Sequence, residues 1–124
     1  MADAKTKVLL VEDDKMIIDM YTLKFSQEGY DIMQAENGKD GLDLAKSQLP
    51  AIILLDIILP QMDGFTVLKE LKADPNTKDI PVVLLTNLGQ DGDVKKGLEL
   101  GANDYLIKAN YTPSQVVDKV KSVL

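Results

Sequence analysis

Short apolar runs alternate along the chain with longer segments of mixed polarity. Five runs read as strands: Lys7–Glu12, Asp31–Ala35, Ile52–Asp56, Pro81–Thr86 and Asp104–Lys108. The first, third and fourth are nearly unbroken Val, Ile and Leu, as in strands covered on both faces. Helical spacing fills the gaps. Met16–Glu28 places Ile17, Met20, Tyr21 and Phe25 near one face, and Gly29 follows as a stop. Gly38–Ser47 carries Leu42 and Ala45, with Leu49 just beyond. Gly64–Ala73 carries Phe65, Leu68 and Leu71, and Asp74-Pro75-Asn76 ends it. Asp91–Leu100 is the weakest helix, because an interior glycine such as Gly97 costs up to ~1 kcal/mol against alanine. It is expected to be the most deformable. The last helix opens with Thr112-Pro113-Ser114-Gln115, a capping box with proline at the first helical position. It is expected to bury Val116, Val117, Val120 and Leu124.

Strand and helix thus alternate five times. That order implies an α/β domain built on a parallel sheet with right-handed crossovers. In such sheets, sites form outside the carboxyl ends of the strands, near the point where strand order reverses.

Composition narrows the chemistry. The 124 residues fit one domain, and a domain of this size needs no metal or disulfide staple. There is no cysteine, so disulfides, zinc–thiolate sites and thiol nucleophiles are excluded. There is no histidine, which excludes a Ser-His-Asp triad and a histidine proton shuttle. The net charge of −6 and the absence of arginine argue against direct nucleic-acid binding. The polar start, MADAKTK, lacks a signal-peptide core, and no apolar run is long enough to span a bilayer. A cytoplasmic protein with no membrane partner is expected.

The strand ends carry the remaining chemistry. The first strand ends in Glu12-Asp13-Asp14, the third in Asp56, the fourth in Thr86 and the fifth in Lys108. A parallel sheet brings all of them to one edge. Asp56 is framed by Ala51–Leu55 and Ile57–Pro60, and a carboxylate so enclosed is costly unless paired. Adjacent carboxylates raise one another's pKa, and a divalent cation relieves that cost. Oxygen donors of this kind suit Mg²⁺. At least one of Asp13 and Asp14 is expected to cap the following helix instead. Lys108 is either a snorkelling lysine or a cation for carboxylate and phosphoryl oxygens. Thr86 is either a β-branched strand residue or a hydroxyl donor, and Tyr105 either a packed aromatic or a functional one.

Four blocks in this order resemble the response-regulator receiver domains of two-component signalling, the family of the chemotaxis response regulator. They are Val11-Glu12-Asp13, Asp56-Ile57-Ile58-Leu59-Pro60-Gln61-Met62-Asp63-Gly64, Leu85-Thr86, and Gly101-Ala102-Asn103-Asp104-Tyr105-Leu106-Ile107-Lys108. The likeness covers essentially the whole chain. It implies a (βα)5 doubly wound, flavodoxin-like fold with strand order 2-1-3-4-5. It implies that Asp56 accepts a phosphoryl group from a histidine kinase, a phosphotransfer protein or a small acyl phosphate. Glu12, Asp13, Asp56 and the backbone carbonyl of Ile58 would hold Mg²⁺. Thr86 and Lys108 would contact phosphoryl oxygens, and Tyr105 would turn inward when Thr86 shifts. Such a protein is not an enzyme with a separate substrate; it catalyses its own phosphorylation and dephosphorylation. With residues 1–124 read as one receiver and no effector domain, output is expected by protein contact through the fourth helix, fifth strand and fifth helix. Phosphorylated receivers often pair through that face, which makes a homodimer a further expectation.

Three departures from the family pattern stand out. Ala109 follows Lys108 where proline is usual, and a cis bond to a non-proline residue costs ~3–4 kcal/mol, so a trans bond is expected. Asn87 is larger than the usual small residue, and either narrows access to Asp56 or bonds the phosphoryl group. Ile58 and Leu88 are apolar at positions that tune hydrolysis, so neither can orient a water, and a long-lived phosphoryl group is expected. The main alternative is a non-phosphorylated pseudo-receiver that serves as a scaffold or binding module. A hydrolase or nucleotide binder fits less well, because no Gly-rich phosphate loop follows the first strand.

Overall fold

Each apolar run becomes a strand of one parallel sheet. The computed structural model describes residues 5–124, so Met1–Ala4 of the polar start lie outside the described residues. The elements run β1 (Lys7–Val11), α1 (Lys15–Gln27), β2 (Asp31–Ala35), α2 (Gly38–Gln48), β3 (Ile52–Leu55), α3 (Gly64–Ala73), β4 (Val82–Thr86), α4 (Asp91–Glu99), β5 (Asp104–Ile107) and α5 (Pro113–Val123). A 3-10 turn at Lys108–Asn110 links β5 to α5. The five strands pair in the order β2-β1-β3-β4-β5, all parallel. This is the doubly wound, flavodoxin-like arrangement that the resemblance implied.

Period-two alternation divides the central strands between two cores. Leu9, Val11, Ile53, Leu55, Val82 and Leu84 face one side, with Leu42 and Ala45 of α2 and Val67, Leu68 and Leu71 of α3. Val8, Leu10, Ile52, Leu54, Val83 and Leu85 face the other, with Ile18, Tyr21 and Phe25 of α1 and Val116, Val117 and Val120 of α5. Burial on both faces explains why the interiors of these strands lack polar residues.

Two sequence expectations need correction. On α1 the sheet-facing stripe is Ile18, Tyr21 and Phe25, at i, i+3 and i+7; Met20 lies about 200° round the helix from Ile18 and is 46% exposed. On α5, Leu124 follows the last helical residue and is 51% exposed, while Val123 packs against the core in its place.

Three strand ends also fall one residue early. Glu12, Asp56 and Lys108 each follow the last residue of a strand. That step frees their side chains from the alternation of the ladder and lets them turn toward one another.

Helix α4 is held differently from the others. Its N-cap, Gln90, makes no side-chain cap bond, and its one buried residue is Gly97. A Cβ at Gly97 would lie 2.5 Å from Leu84 Cδ1 and 3.1 Å from Tyr105 Cδ2. The glycine that weakens the helix is what lets its backbone rest on β4 and β5. Lys96 adds a second attachment, with Nζ 4.6 Å from the centroid of the Phe65 ring on α3.

Candidate functional site

The register of the central strands sets the site. Val11 of β1 pairs with Leu55 of β3, and Asp56 N–H donates to the Val11 carbonyl at 3.0 Å. Glu12 and Asp56 therefore emerge side by side, 1% and 6% exposed. Thr86 closes β4 beside Ile107 of β5 and is fully buried. Lys108 follows Ile107 and swings back over the sheet end.

Lys108 Nζ donates to Asp56 Oδ2 at 2.7 Å and also to Glu12 Oε1. The pairing with Glu12 was not legible in the sequence, where the partners lie 96 positions apart. Burial by itself would lower the Lys108 pKa, but the hydrogen bonds and charges of Asp56 and Glu12 outweigh it and raise it. Burial pushes the Glu12 carboxyl above its ordinary value, against the pull of Lys108. The second Glu12 oxygen accepts the amides of Asp13 at 3.0 Å and Asp14 at 3.2 Å. Asp14 is the helix cap: its Oδ1 accepts from Met16 N–H at 2.9 Å. Asp13 is left exposed at the mouth of the site.

Glu12, Asp13 and Asp56 each offer an oxygen within 4.8 Å of the others. Three carboxylates against the single ammonium of Lys108 leave two uncompensated negative charges, the charge of one divalent cation. An all-oxygen donor set with an exposed member fits Mg²⁺, which keeps several waters when bound.

Asp56 is held from a second side by backbone. Ile58 N–H donates to Asp56 Oδ1 at 3.2 Å. Gly64 N–H donates to the Ile57 carbonyl at 2.8 Å, so the first turn of α3 rests on the backbone of Asp56 and Ile57. A side chain at Gly64 would collide with the Asp56 carbonyl. The Ile58 side chain is 60% exposed beside the carboxylate.

Thr86 and Tyr105 meet through a residue the sequence reading gave another role. Thr86 Oγ1 accepts the Leu88 amide at 3.3 Å, and the Tyr105 hydroxyl donates to the Leu88 carbonyl. Leu88 is thus gripped at both ends of its backbone. No cis peptide occurs among the described residues, so the Lys108–Ala109 bond is trans, and Lys108 still reaches Asp56.

The response-regulator receiver domain model matches residues 8–121. This chain belongs to the response-regulator receiver family. The receiver is 40% identical over 118 residues to the DNA-binding dual master transcriptional regulator RpaA of Synechocystis, a match covering 95% of this chain and 48% of RpaA. It is 45% identical over 102 residues to the response regulator PleD of Caulobacter vibrioides, covering 82% of this chain and 22% of PleD. The chain therefore spans half or less of the length of these curated relatives. Among solved structures, Vibrio cholerae chemotaxis protein CheY4 superposes with a TM-score of 0.90 at 27% identity, covering 98% of this chain and all of CheY4. A response regulator from Chloroflexus aurantiacus gives 0.89 at 33% identity, covering 97% and 98%. Receivers of this family signal through phosphorylation, interact with histidine kinases or phosphotransfer proteins, and generally bind Mg²⁺ at an acidic pocket. Among the described residues, no helix of the receiver is long and apolar enough to cross a membrane.

Proposed function

We propose that this receiver is a phosphoacceptor switch that takes a phosphoryl group on Asp56. The observation that carries the reading is the buried Asp56 carboxylate, 2.7 Å from Lys108 Nζ and grouped with Glu12 and Asp13. An Asp56 oxygen attacks phosphorus, the new P–O bond forms, and the bond to the donor's leaving group breaks. The donor is the phosphohistidine of a kinase or phosphotransfer protein, or a small acyl phosphate. Phosphoryl transfer depends mainly on position and charge neutralisation, and the carboxylate is positioned by the Ile58 amide. Mg²⁺ held by Glu12, Asp13, Asp56 and the Ile58 carbonyl would supply positive charge to the phosphoryl oxygens. Lys108 pairs with one phosphoryl oxygen, and the Thr86 hydroxyl donates to another. The chain catalyses this on itself and has no separate substrate.

Drawing Thr86 toward the phosphoryl group moves Leu88, and with it the Tyr105 hydroxyl and the start of α4. The output surface is then the face of α4, β5 and α5, read in the cytoplasm by a protein partner or by a second phosphorylated copy. Lys108 meets Asp56 without a proline after it, which supports this reading over the pseudo-receiver alternative.

The test is intact mass after incubation with acetyl phosphate, with and without Mg²⁺. The expected result is one added phosphoryl group that requires Mg²⁺ and is absent in Asp56→Asn. No addition from acetyl phosphate or from any phosphohistidine donor would return the scaffold reading.

A further inference from the structure

The sheet has two open edges, β5 and β2. Edge strands present unpaired N–H and C=O groups that can take another strand. On β2, Asp31 N–H donates to the Thr6 carbonyl at 2.9 Å, and the Ala35 carbonyl accepts from Glu12 N–H at 2.9 Å. Those two residues turn their backbone groups toward β1. Alternation along the strand turns the backbone groups of Ile32 and Gln34 the other way, to a side where no strand lies among the described residues. The Gln34 side chain is tied back to Thr22 Oγ1 of α1 at 2.8 Å, which leaves its backbone at the edge.

Among the described residues, no helix is placed to cover this edge. Helices α1 and α2 pack on opposite faces of the sheet, and between them they leave a groove of about 570 Å³. Leu44 is its half-buried apolar side chain, and Ile18 and Ala35 are nearly buried at its floor. Four carboxylates line it, those of Asp19, Glu36, Asp40 and Asp43, against the single ammonium of Lys15. Lys15 lies 4.0 Å from Asp19, and Lys39 lies 3.8 Å from Asp43, but both pairs are solvent-exposed and neutralise little. The groove shares none of the phosphoacceptor residues.

We propose that the β2 edge and this groove form a docking site for an extended, lysine- or arginine-rich segment of a partner protein. The segment adds as a sixth strand at Ile32 and Gln34. It sets a small aliphatic side chain against Leu44, and its cations meet the four carboxylates. Main-chain bonds supply affinity in this mode, and the side-chain contacts select the sequence. Charge excludes a second copy of this chain, which would bring the same four carboxylates against these. It excludes anionic lipid and nucleic acid for the same reason.

The test uses the folded chain and a blocked hexapeptide of alternating lysine and valine, with a glutamate–valine hexapeptide as control. Binding is followed by amide NMR shifts and hydrogen exchange. The lysine peptide is expected to bind, to slow exchange at the Ile32 and Gln34 amides, and to weaken as salt rises. Asp19→Asn with Asp43→Asn should weaken it about fivefold, since each rim charge contributes modestly. Ile32→Pro removes an outward N–H without costing a ladder bond and should abolish binding. If Ile32→Pro unfolds the chain, the asparagine pair carries the test. Absence of binding would overturn the proposal. So would binding that leaves the Ile32 and Gln34 amides unchanged, equal affinity in the asparagine pair, or equal binding of the glutamate peptide. Self-association of the free chain through these amides would replace the basic segment with a second copy.

Discussion

The Tyr105 hydroxyl donates to the backbone carbonyl of Leu88, 17 positions earlier, while the Leu88 amide donates to Thr86 Oγ1. One residue of the β4–α4 loop therefore joins the end of β4 to the aromatic ring beneath α4. Thr86 and Tyr105 are thus joined through the backbone of a single residue, by the N–H of one peptide group and the C=O of the next.

The surroundings of Tyr105 also set how it ionises. Burial, followed by the charges of Asp93 and Asp56, pushes its phenol up to about 12 from an ordinary 10. The folded state keeps a proton that the unfolded chain releases. Tyr105's contribution to stability is complete below pH 10 and is lost as pH rises toward 12. Phenolate absorbance of native protein should include a component near pH 12 that Tyr105→Phe removes. The same variant should lose about 1 kcal/mol in denaturant unfolding at neutral pH, the worth of one hydrogen bond.

Lys108 is the one ammonium between two buried carboxylates. Lys108→Met should lower stability by about 3 kcal/mol in chelator, since it strands Glu12 and Asp56 without a counter-charge. Added Mg²⁺ should restore more stability to this variant than to wild type. Phosphoryl incorporation should fall steeply in either case. Unfolding curves identical to wild type in chelator would show that the pair does not hold the site.

Ile58 stands exposed beside Asp56 and offers no side-chain hydrogen bond. A polar side chain there can orient a water for attack on the phosphoryl group. Ile58→Asn should shorten the half-life of phosphorylated protein by about tenfold. An unchanged half-life would mean that access or Asn87, not water orientation, limits hydrolysis.

The two glycines of α4, Gly92 in its first turn and Gly97 in its interior, should respond in opposite directions. Nothing lies within 4 Å of a Cβ at Gly92, so Gly92→Ala should stabilise by about 0.5–1 kcal/mol through helix propensity. A Cβ at Gly97 meets Leu84 and the Tyr105 ring, and Gly97→Ala should destabilise by about 1–3 kcal/mol through overpacking. Thermal melts of the two variants compare them directly.

The order of elements was legible because burial writes itself into local pattern. Two-sided burial made the interiors of β1, β3 and β4 apolar, and the capping box at Thr112–Gln115 forms as read, with both reciprocal bonds. The face of α1 was harder to read, because Met16, Met20 and Leu23 supply a second apolar stripe that the sheet does not use. Composition alone could not say which stripe faces inward. The Glu12, Asp13 and Asp56 cluster was legible because a parallel sheet must gather its strand ends.

What the sequence by itself determined was the alternation of elements and the kinds of group at each strand end. Those follow from hydrophobic period and from where polar residues interrupt it. Only the tertiary structure decided which of those groups touch. Lys108 bonds Glu12 as well as Asp56, Asp14 caps α1 while Asp13 faces solvent, and Leu88 bridges Thr86 and Tyr105. Each contact depends on register across the sheet and on the path of a loop. Those are fixed by packing between residues far apart in the chain, and no local pattern records them.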